Sequence, residues 1–125
     1  MQELEQLAEA VRAAPAFAAK RELAVVRRLP AVPDGDDAAL VPHGGGFLVV
    51  CGEAIHPGFV RSDPYAAGAA AVVTNAADVR AMGGRPLALV DMLVSPDRAH
   101  AEKVLDGLSW AAGLLGVEPV GGHLT

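Results

Sequence analysis

Cysteine and aromatic residues are scarce in this chain. It has one cysteine in 125 residues, and aromatic side chains make up 4% of the sequence. A single cysteine excludes an internal disulfide and fits a reducing compartment. The apolar fraction is 52%, so the core must be built from Ala, Val and Leu. At this length we expect one domain with a modest aliphatic core.

Long apolar runs and clustered basic residues are also lacking. No window approaches the ~18 uninterrupted apolar residues that mark a membrane-spanning helix. The N-terminus, MQELEQLAEAVRAA, is acidic and amphipathic, unlike a signal peptide. The net charge of -5 argues against a nucleic-acid groove, which needs clustered Lys and Arg. We therefore expect a soluble, cytoplasmic protein that binds neither membranes nor nucleic acid.

The stretch DPYAAGAAAVVTNAADVRAMGGRP, residues 63–86, organises the chain. Asp63 can cap a helix, and Pro64 suits the first helical position because its missing N–H would be unbonded there. Gly83 or Gly84 can take the left-handed conformation that closes a helix. The residues between are small and apolar on every side, which predicts a helix buried all round.

Two polar residues lie inside this predicted helix. Asn75 and Asp78 are three positions apart and therefore share a face. Burying a carboxylate costs several kcal/mol or more unless it is paired or holds a metal. The sequence thus predicts that Asp78 meets a partner or a ligand.

The remaining patterns predict two N-terminal helices followed by the order β-β-α-β-α-β. The predicted helices outside the central one cover residues 3–13, 20–28 and 97–115, and the strands cover 38–41, 47–52, 87–95 and 117–120. HGGG at 43–46 is predicted to form a hairpin turn. The run LALVDMLVS reads as a strand buried on both faces, and Ser95-Pro96 as the start of the last helix.

Acidic residues recur at the ends of predicted elements. Asp36 and Asp37 open the first strand, Glu53 follows the second, and Asp78 lies near the end of the central helix. Carboxylates without a Cys/His pattern suit a hard cation such as Mg²⁺. The alternative is that Asp36 and Asp37 are only turn and cap residues, the commoner role for Asp beside Gly.

Other reactive side chains give weaker signals. The four histidines lack H-x-x-x-H and H-E-x-x-H spacing, which argues against zinc. Cys51 has no flanking base and is interpreted as a core residue. HGGG is similar to an esterase oxyanion loop, but no G-x-S-x-G elbow accompanies it. His123 follows Gly121-Gly122, where the backbone can approach a ligand closely; an exposed terminal histidine is the alternative.

Taken together, three ordered motifs carry a family resemblance. GDDAALV, NAADVRAMGGRPLALVDMLVSP and GVEPVGGH occur in that order over residues 34–125. They resemble the N-terminal domain of the AIR synthase superfamily, which includes selenophosphate synthetase, thiamine-monophosphate kinase and a hydrogenase maturation factor. The best overall fit is to AIR synthase-related proteins.

The resemblance implies a fold and its ligands. The expected fold is α+β and PurM-like, with a mixed four-stranded sheet packed on helices and an N-terminal helical extension. Two such sheets would join into an eight-stranded barrel in a homodimer. ATP and Mg²⁺ would bind in an acidic cleft.

The resemblance also implies roles for individual residues. The metal ligands would be Asp36, Asp37, Glu53 and Asp78. The cofactor-binding residues would be Asn75, Gly121, Gly122 and His123.

Several residues depart from the family pattern. Glu53 stands where many members have Asp, Ala77 where Ser is usual, and His123 where the kinases have Asp. The reactive Cys/Sec–Lys loop of the selenophosphate enzymes is absent, since Lys20 is isolated and Cys51 lies elsewhere. Selenium chemistry is therefore not expected.

The family's second domain has no counterpart in this chain. We divide the sequence into an N-terminal helical segment, residues 1–30, and an ATP-binding domain, residues 31–125. The first hypothesis is an ATP/Mg²⁺-binding domain in phosphoryl-transfer or synthase chemistry, working with a separate or missing second domain. The alternative is a non-catalytic dimerisation or regulatory module, so the sequence leaves open whether the chain is an enzyme.

Overall fold

The structure, a computed structural model, describes residues 1–15 and 37–125. The chain divides into two units, Met1–Asp36 and Asp37–Thr125. In the first, helix α1 (Gln2–Ala13) confirms the amphipathic N-terminal helix. The helix predicted at 20–28 lies outside the described residues. Within the described ranges, no helix is both long and apolar enough to cross a membrane.

The second unit holds the remaining helices and strands. In chain order they are β1 (Ala39–His43), β2 (Gly46–Val50), α2 (Pro57–Ser62), α3 (Pro64–Ala81), β3 (Ala88–Leu93), α4 (Arg98–Leu115) and β4 (Glu118–Leu124). This order confirms the predicted one except for α2, which the sequence analysis treated as loop. Residues next to each other in the sequence start α2. The His56 ring accepts a hydrogen bond from the Gly58 N–H at 3.1 Å, and Pro57 occupies the first turn.

The strands pair in two separate sheets. β1 and β2 are antiparallel, whereas β3 and β4 are parallel. The α+β class is therefore confirmed, but the single mixed four-stranded sheet is not found among the described residues. The chain that follows β2 and strand β3 both line an open cleft. The described strands of one pair form no backbone ladder with those of the other.

HGGG forms the predicted hairpin turn. His43 pairs with Gly46 at the end of the β1–β2 ladder. The two residues between them, Gly44 and Gly45, have φ angles of 53° and 81°. Two consecutive positive φ angles match the twist of a two-residue hairpin and favour glycine.

The central helix α3 has the predicted ends. The Asp63 carboxylate accepts a hydrogen bond from the Ala66 N–H at 3.0 Å, and Pro64 is the first helical residue. Gly83, with φ of 75°, follows the last turn. These contacts satisfy backbone groups that helix ends leave unbonded.

Helix α4 begins later than predicted. Its cap is Asp97, whose carboxylate accepts from the His100 N–H at 2.8 Å. The hydroxyl of Ser95, the predicted cap, instead donates to the Asp97 carbonyl at 2.9 Å. Gly116 ends the helix in the left-handed conformation.

The core lies where α3 packs on α4. A Cβ on Gly68 would fall on the Val104 carbonyl, and one on Gly107 on the Tyr65 carbonyl, each closer than 3.0 Å. The two backbones therefore meet without side chains between them at these points. Next to this contact, a cluster of buried aliphatic residues comprises Val72, Leu108, Ala111 and Ala112.

Two burial predictions are wrong. Helix α3 buries one face only, and Val73 on another face is 49% exposed. Strand β3, predicted to be buried on both faces, leaves Val90 and Met92 69% and 86% exposed. The helices cover one face of the β3–β4 pair, where Leu93 is buried, and in the described residues nothing covers the other.

The glycine contact between α3 and α4 gives a test of stability. Gly107→Ala should lower the free energy of unfolding by about 1–3 kcal/mol, because the new methyl group meets a main-chain carbonyl that cannot rotate away. Gly113→Ala, in the same helix with no atom near the new Cβ, should raise it by up to about 1 kcal/mol. Urea unfolding measures both, and equal stability of the two variants would contradict the close packing.

Candidate functional site

A cleft of about 980 Å³ opens in the second unit. Its walls are the chain after β2, one face of α3, strand β3 and the first turns of α4. Most of the lining is aliphatic. The polar side chains that line it are Cys51, Glu53, Arg61, Asn75, Asp91, Ser95 and His100.

Asn75 joins the chain after β2 to helix α3. Its Oδ1 accepts a hydrogen bond from the Glu53 N–H at 3.0 Å. Its Nδ2 donates to the Ala71 carbonyl, one helical turn back, at 2.8 Å. The Cys51 thiol donates to the Asn75 main-chain carbonyl at 3.3 Å and lies 3.6 Å from Oδ1. The backbone that carries Glu53 is thereby fixed to α3.

The cysteine lies just beyond strand β2 and is half-buried. The pKa of the Cys51 thiol is raised, first by burial and then by the negative charges of Asp78 and Glu53. Both negative charges oppose the formation of a negatively charged thiolate. A raised pKa disfavours the thiolate, and this agrees with the interpretation that Cys51 is not a nucleophile.

The predicted metal ligands fall into three groups. Glu53 lies on the segment whose N–H donates to Asn75, and Asp78 lies three residues after Asn75 on α3. Asp37 is exposed just before β1, and Asp36 lies outside the described residues. In residues 1–15 and 37–125, no group of three or more His, Cys, Asp or Glu side chains could hold a metal ion.

The glycine pair and His123 lie in a strand. β4 continues to Leu124, so the prediction that the last strand stops at 120 is wrong. Gly122 pairs with Asp91, and the exposed His123 pairs with Met92 in the parallel ladder. Glycine weakens a strand pattern, which is why the sequence suggested a tail here.

The sequence patterns assigned no role to Asp91, the acidic residue within LALVDMLVS. It is half-buried in β3 and lines the cleft. A Cβ at Gly122 would collide with both the carboxylate and the main-chain carbonyl of Asp91. The glycine therefore leaves room for the acid, and a lone Asp in an apolar strand was the signal that could have identified it.

His100 is a second residue whose role was missed. Its ring is half-buried in the cleft wall. Its Nε2–H donates to the Val60 carbonyl at 3.0 Å, and its Nδ1 lies 3.0 Å from the Ser95 hydroxyl. His100 thus ties α2 to the start of α4, a long-range contact that no local pattern shows.

Comparison with known proteins decides the family. Residues 35–125 match the model of the AIR synthase related protein, N-terminal domain. The chain belongs to the AIR synthase-related family. This confirms the resemblance carried by the three sequence motifs.

Individual relatives have different names. An uncharacterized protein of Synechocystis sp. is 39% identical over 71% of this chain and 28% of its own length. Thiamine-monophosphate kinase of Mycobacterium tuberculosis is 38% identical over 86% of this chain and 35% of its own. Phosphoribosylformylglycinamidine synthase subunit PurL of Methanosarcina barkeri is 31% identical over 71% of this chain and 13% of its own. The chain spans about a third or less of these curated relatives, and no solved structure matches it significantly.

The contact between Asp91 and Gly122 can be tested by adding one methyl group. Gly122→Ala should lower the free energy of unfolding by about 1–3 kcal/mol, because the Cβ meets the main chain of the paired strand. Gly121→Ala is the matched control, since nothing lies within 4 Å of its Cβ. Thermal unfolding measures both variants. Equal melting temperatures for the two would show that Asp91 does not pack over Gly122.

The charges near Cys51 can be tested through its reactivity. Asp78→Asn removes one of the charges that raise the thiol pKa, so the midpoint of the pH–rate profile for alkylation should move to lower pH. The alkylation rate at about pH 8 should then increase, because the thiolate is the nucleophile. Asp106→Asn, an exposed change on α4, should leave the midpoint unchanged. An unshifted midpoint in Asp78→Asn would place Asp78 away from Cys51.

Proposed function

We propose that this chain is an ATP- and Mg²⁺-binding domain that takes part in phosphoryl transfer or ATP-dependent synthesis in the cytoplasm. The observation that supports this most directly is the family match over residues 35–125. The cleft supports it further, because Glu53 lines its wall and Asp78 lies nearby on α3.

The names of the relatives indicate the class of chemistry. One is a kinase that by its name acts on thiamine monophosphate, and another is a subunit of a synthase. We extend to this chain only the shared feature of kinase or synthase chemistry. Because the chain spans 35% and 13% of these two relatives, we propose that a second domain completes the substrate site.

The donor set in the cleft fits Mg²⁺. This ion binds through one or two carboxylates, retains several waters and takes further oxygens from phosphates. Glu53 and Asp78 are two such carboxylates, one on the segment bonded to Asn75 and the other three residues after Asn75 on α3. Asp36 and Asp37 are the further ligands that the family motif implies, and Asn75, Gly121, Gly122 and His123 would be the residues close to the nucleotide.

The protein's contribution would be electrostatic and positional. A bound Mg²⁺ would neutralise charge on the triphosphate. The carboxylates of Glu53 and Asp78 would hold the ion at the wall of the cleft. The aliphatic lining would exclude water around the nucleotide, which strengthens electrostatic interactions inside the cleft.

A homodimer is the proposed assembly. Apolar side chains are exposed on all four strands, among them Leu40, Phe47, Met92 and Val120. Exposed apolar side chains concentrated on strands are typical of a surface that a partner covers. We propose that a second copy of the chain covers these strands, as the family resemblance implies.

Calorimetric titration with a non-hydrolysable ATP analogue tests the proposal. Binding should require Mg²⁺, and Asp78→Asn should abolish the Mg²⁺-dependent part while leaving the circular dichroism spectrum and melting temperature near those of the wild type. Asp106→Asn should bind normally. If no heat of binding is measured with or without Mg²⁺, the proposal is wrong, and a non-catalytic dimerisation module is favoured. Unchanged affinity in Asp78→Asn would remove Asp78 from the metal site.

A further inference from the structure

Both polar atoms of the Asn75 side chain form hydrogen bonds within the protein. The Glu53 N–H donates to its Oδ1 at 3.0 Å, and its Nδ2 donates to the Ala71 carbonyl at 2.8 Å. The Cys51 sulfur lies 3.6 Å from the same Oδ1.

These partners also fix the orientation of the amide. If the amide were reversed, its NH₂ group would face the Glu53 N–H, and its oxygen would face the Ala71 carbonyl. Both contacts would then be repulsive, since donor would meet donor and acceptor would meet acceptor. The amide therefore keeps one orientation, and its bond to the Glu53 N–H attaches the chain after β2 to α3 at the position of Asn75.

Asp78 lies three residues further along the same helix, on the same face as Asn75. The position of Glu53 relative to Asp78 thus depends on the Asn75 amide, because Asn75 joins the two elements that carry them.

We propose that Asn75 is a positioning residue that fixes Glu53 beside Asp78, so that the two carboxylates can act on one Mg²⁺–nucleotide. This inference rests on the proposed function for its ligand. It differs from a direct contact between Asn75 and the nucleotide. A positioning residue acts through Glu53, whereas a direct contact acts independently of it.

Amide hydrogen exchange tests the anchor without any ligand. In Asn75→Ala the Glu53 amide should exchange about tenfold faster or more, because the loss of a hydrogen bond of this kind is worth about 1 kcal/mol or somewhat more. Thr74→Ala, the neighbouring half-buried position on α3, is the control and should leave that rate unchanged. Asn75→Asp retains an acceptor oxygen and should exchange more slowly than Asn75→Ala. Equal rates in the wild type and Asn75→Ala would overturn the anchor.

A double-mutant cycle with Glu53→Gln tests the positioning role. Asn75→Ala should weaken the binding of the Mg²⁺–ATP analogue about tenfold in the wild-type background and much less in the Glu53→Gln background, because residues that act as one unit are not additive. Equal losses in both backgrounds would overturn positioning and indicate a direct contact. Asn75→Asp is used if Asn75→Ala does not fold. If the wild type fails to bind the analogue, the proposed function fails, and the Glu53 exchange rates alone decide whether Asn75 fixes that segment.

Discussion

The close approach of α3 and α4 is the contact on which the second unit depends. Gly68 and Gly107 each meet a main-chain carbonyl of the opposite helix, and beside them Val72 and Leu108 form the core. Because few aromatic residues are available to fill the core, close contact between small side chains provides the packing that larger side chains would otherwise provide. The rotation of α3 that this contact imposes turns Ala67 and Ala76 inward and leaves Asn75 and Asp78 half-buried rather than enclosed.

The half-buried position of these polar residues resolves the question raised by the sequence. An isolated carboxylate in a helix enclosed on all sides would carry a large desolvation cost. Helix α3 avoids this cost by burying one face only, so Asp78 retains access to solvent. The side-chain amide of Asn75 forms its hydrogen bonds with the backbone of Glu53 and Ala71. The apolar composition of α3 therefore reflects its packing on α4, while its polar residues belong to the cleft.

Local patterns predicted local structure well. Asp63 and Pro64 gave the start of α3, and Gly44-Gly45 gave the hairpin turn, because these contacts lie within a few residues of the chain. Burial depends on what lies across space, and periodicity does not contain that information. The strand LALVDMLVS reads as doubly buried, yet Met92 on its outer face is exposed. The pairing of β3 with β4 and the failure of the strands to form one sheet are likewise decided by tertiary contacts.

The candidate site shows the same division. Motif spacing identified Glu53 and Asp78, and both act on the Cys51 thiol. It did not identify the hydrogen bond between Asn75 and Glu53, which spans 22 positions, or the bond between His100 and Val60 in the cleft wall, which spans 40. The proposed site therefore combines acids that a motif reveals with hydrogen bonds that only the fold reveals. Since Mg²⁺ tolerates little deviation from octahedral geometry, the proposal implies that these hydrogen bonds would matter for metal binding as much as the acids, so that a substitution at Asn75 would impair the site with every carboxylate retained.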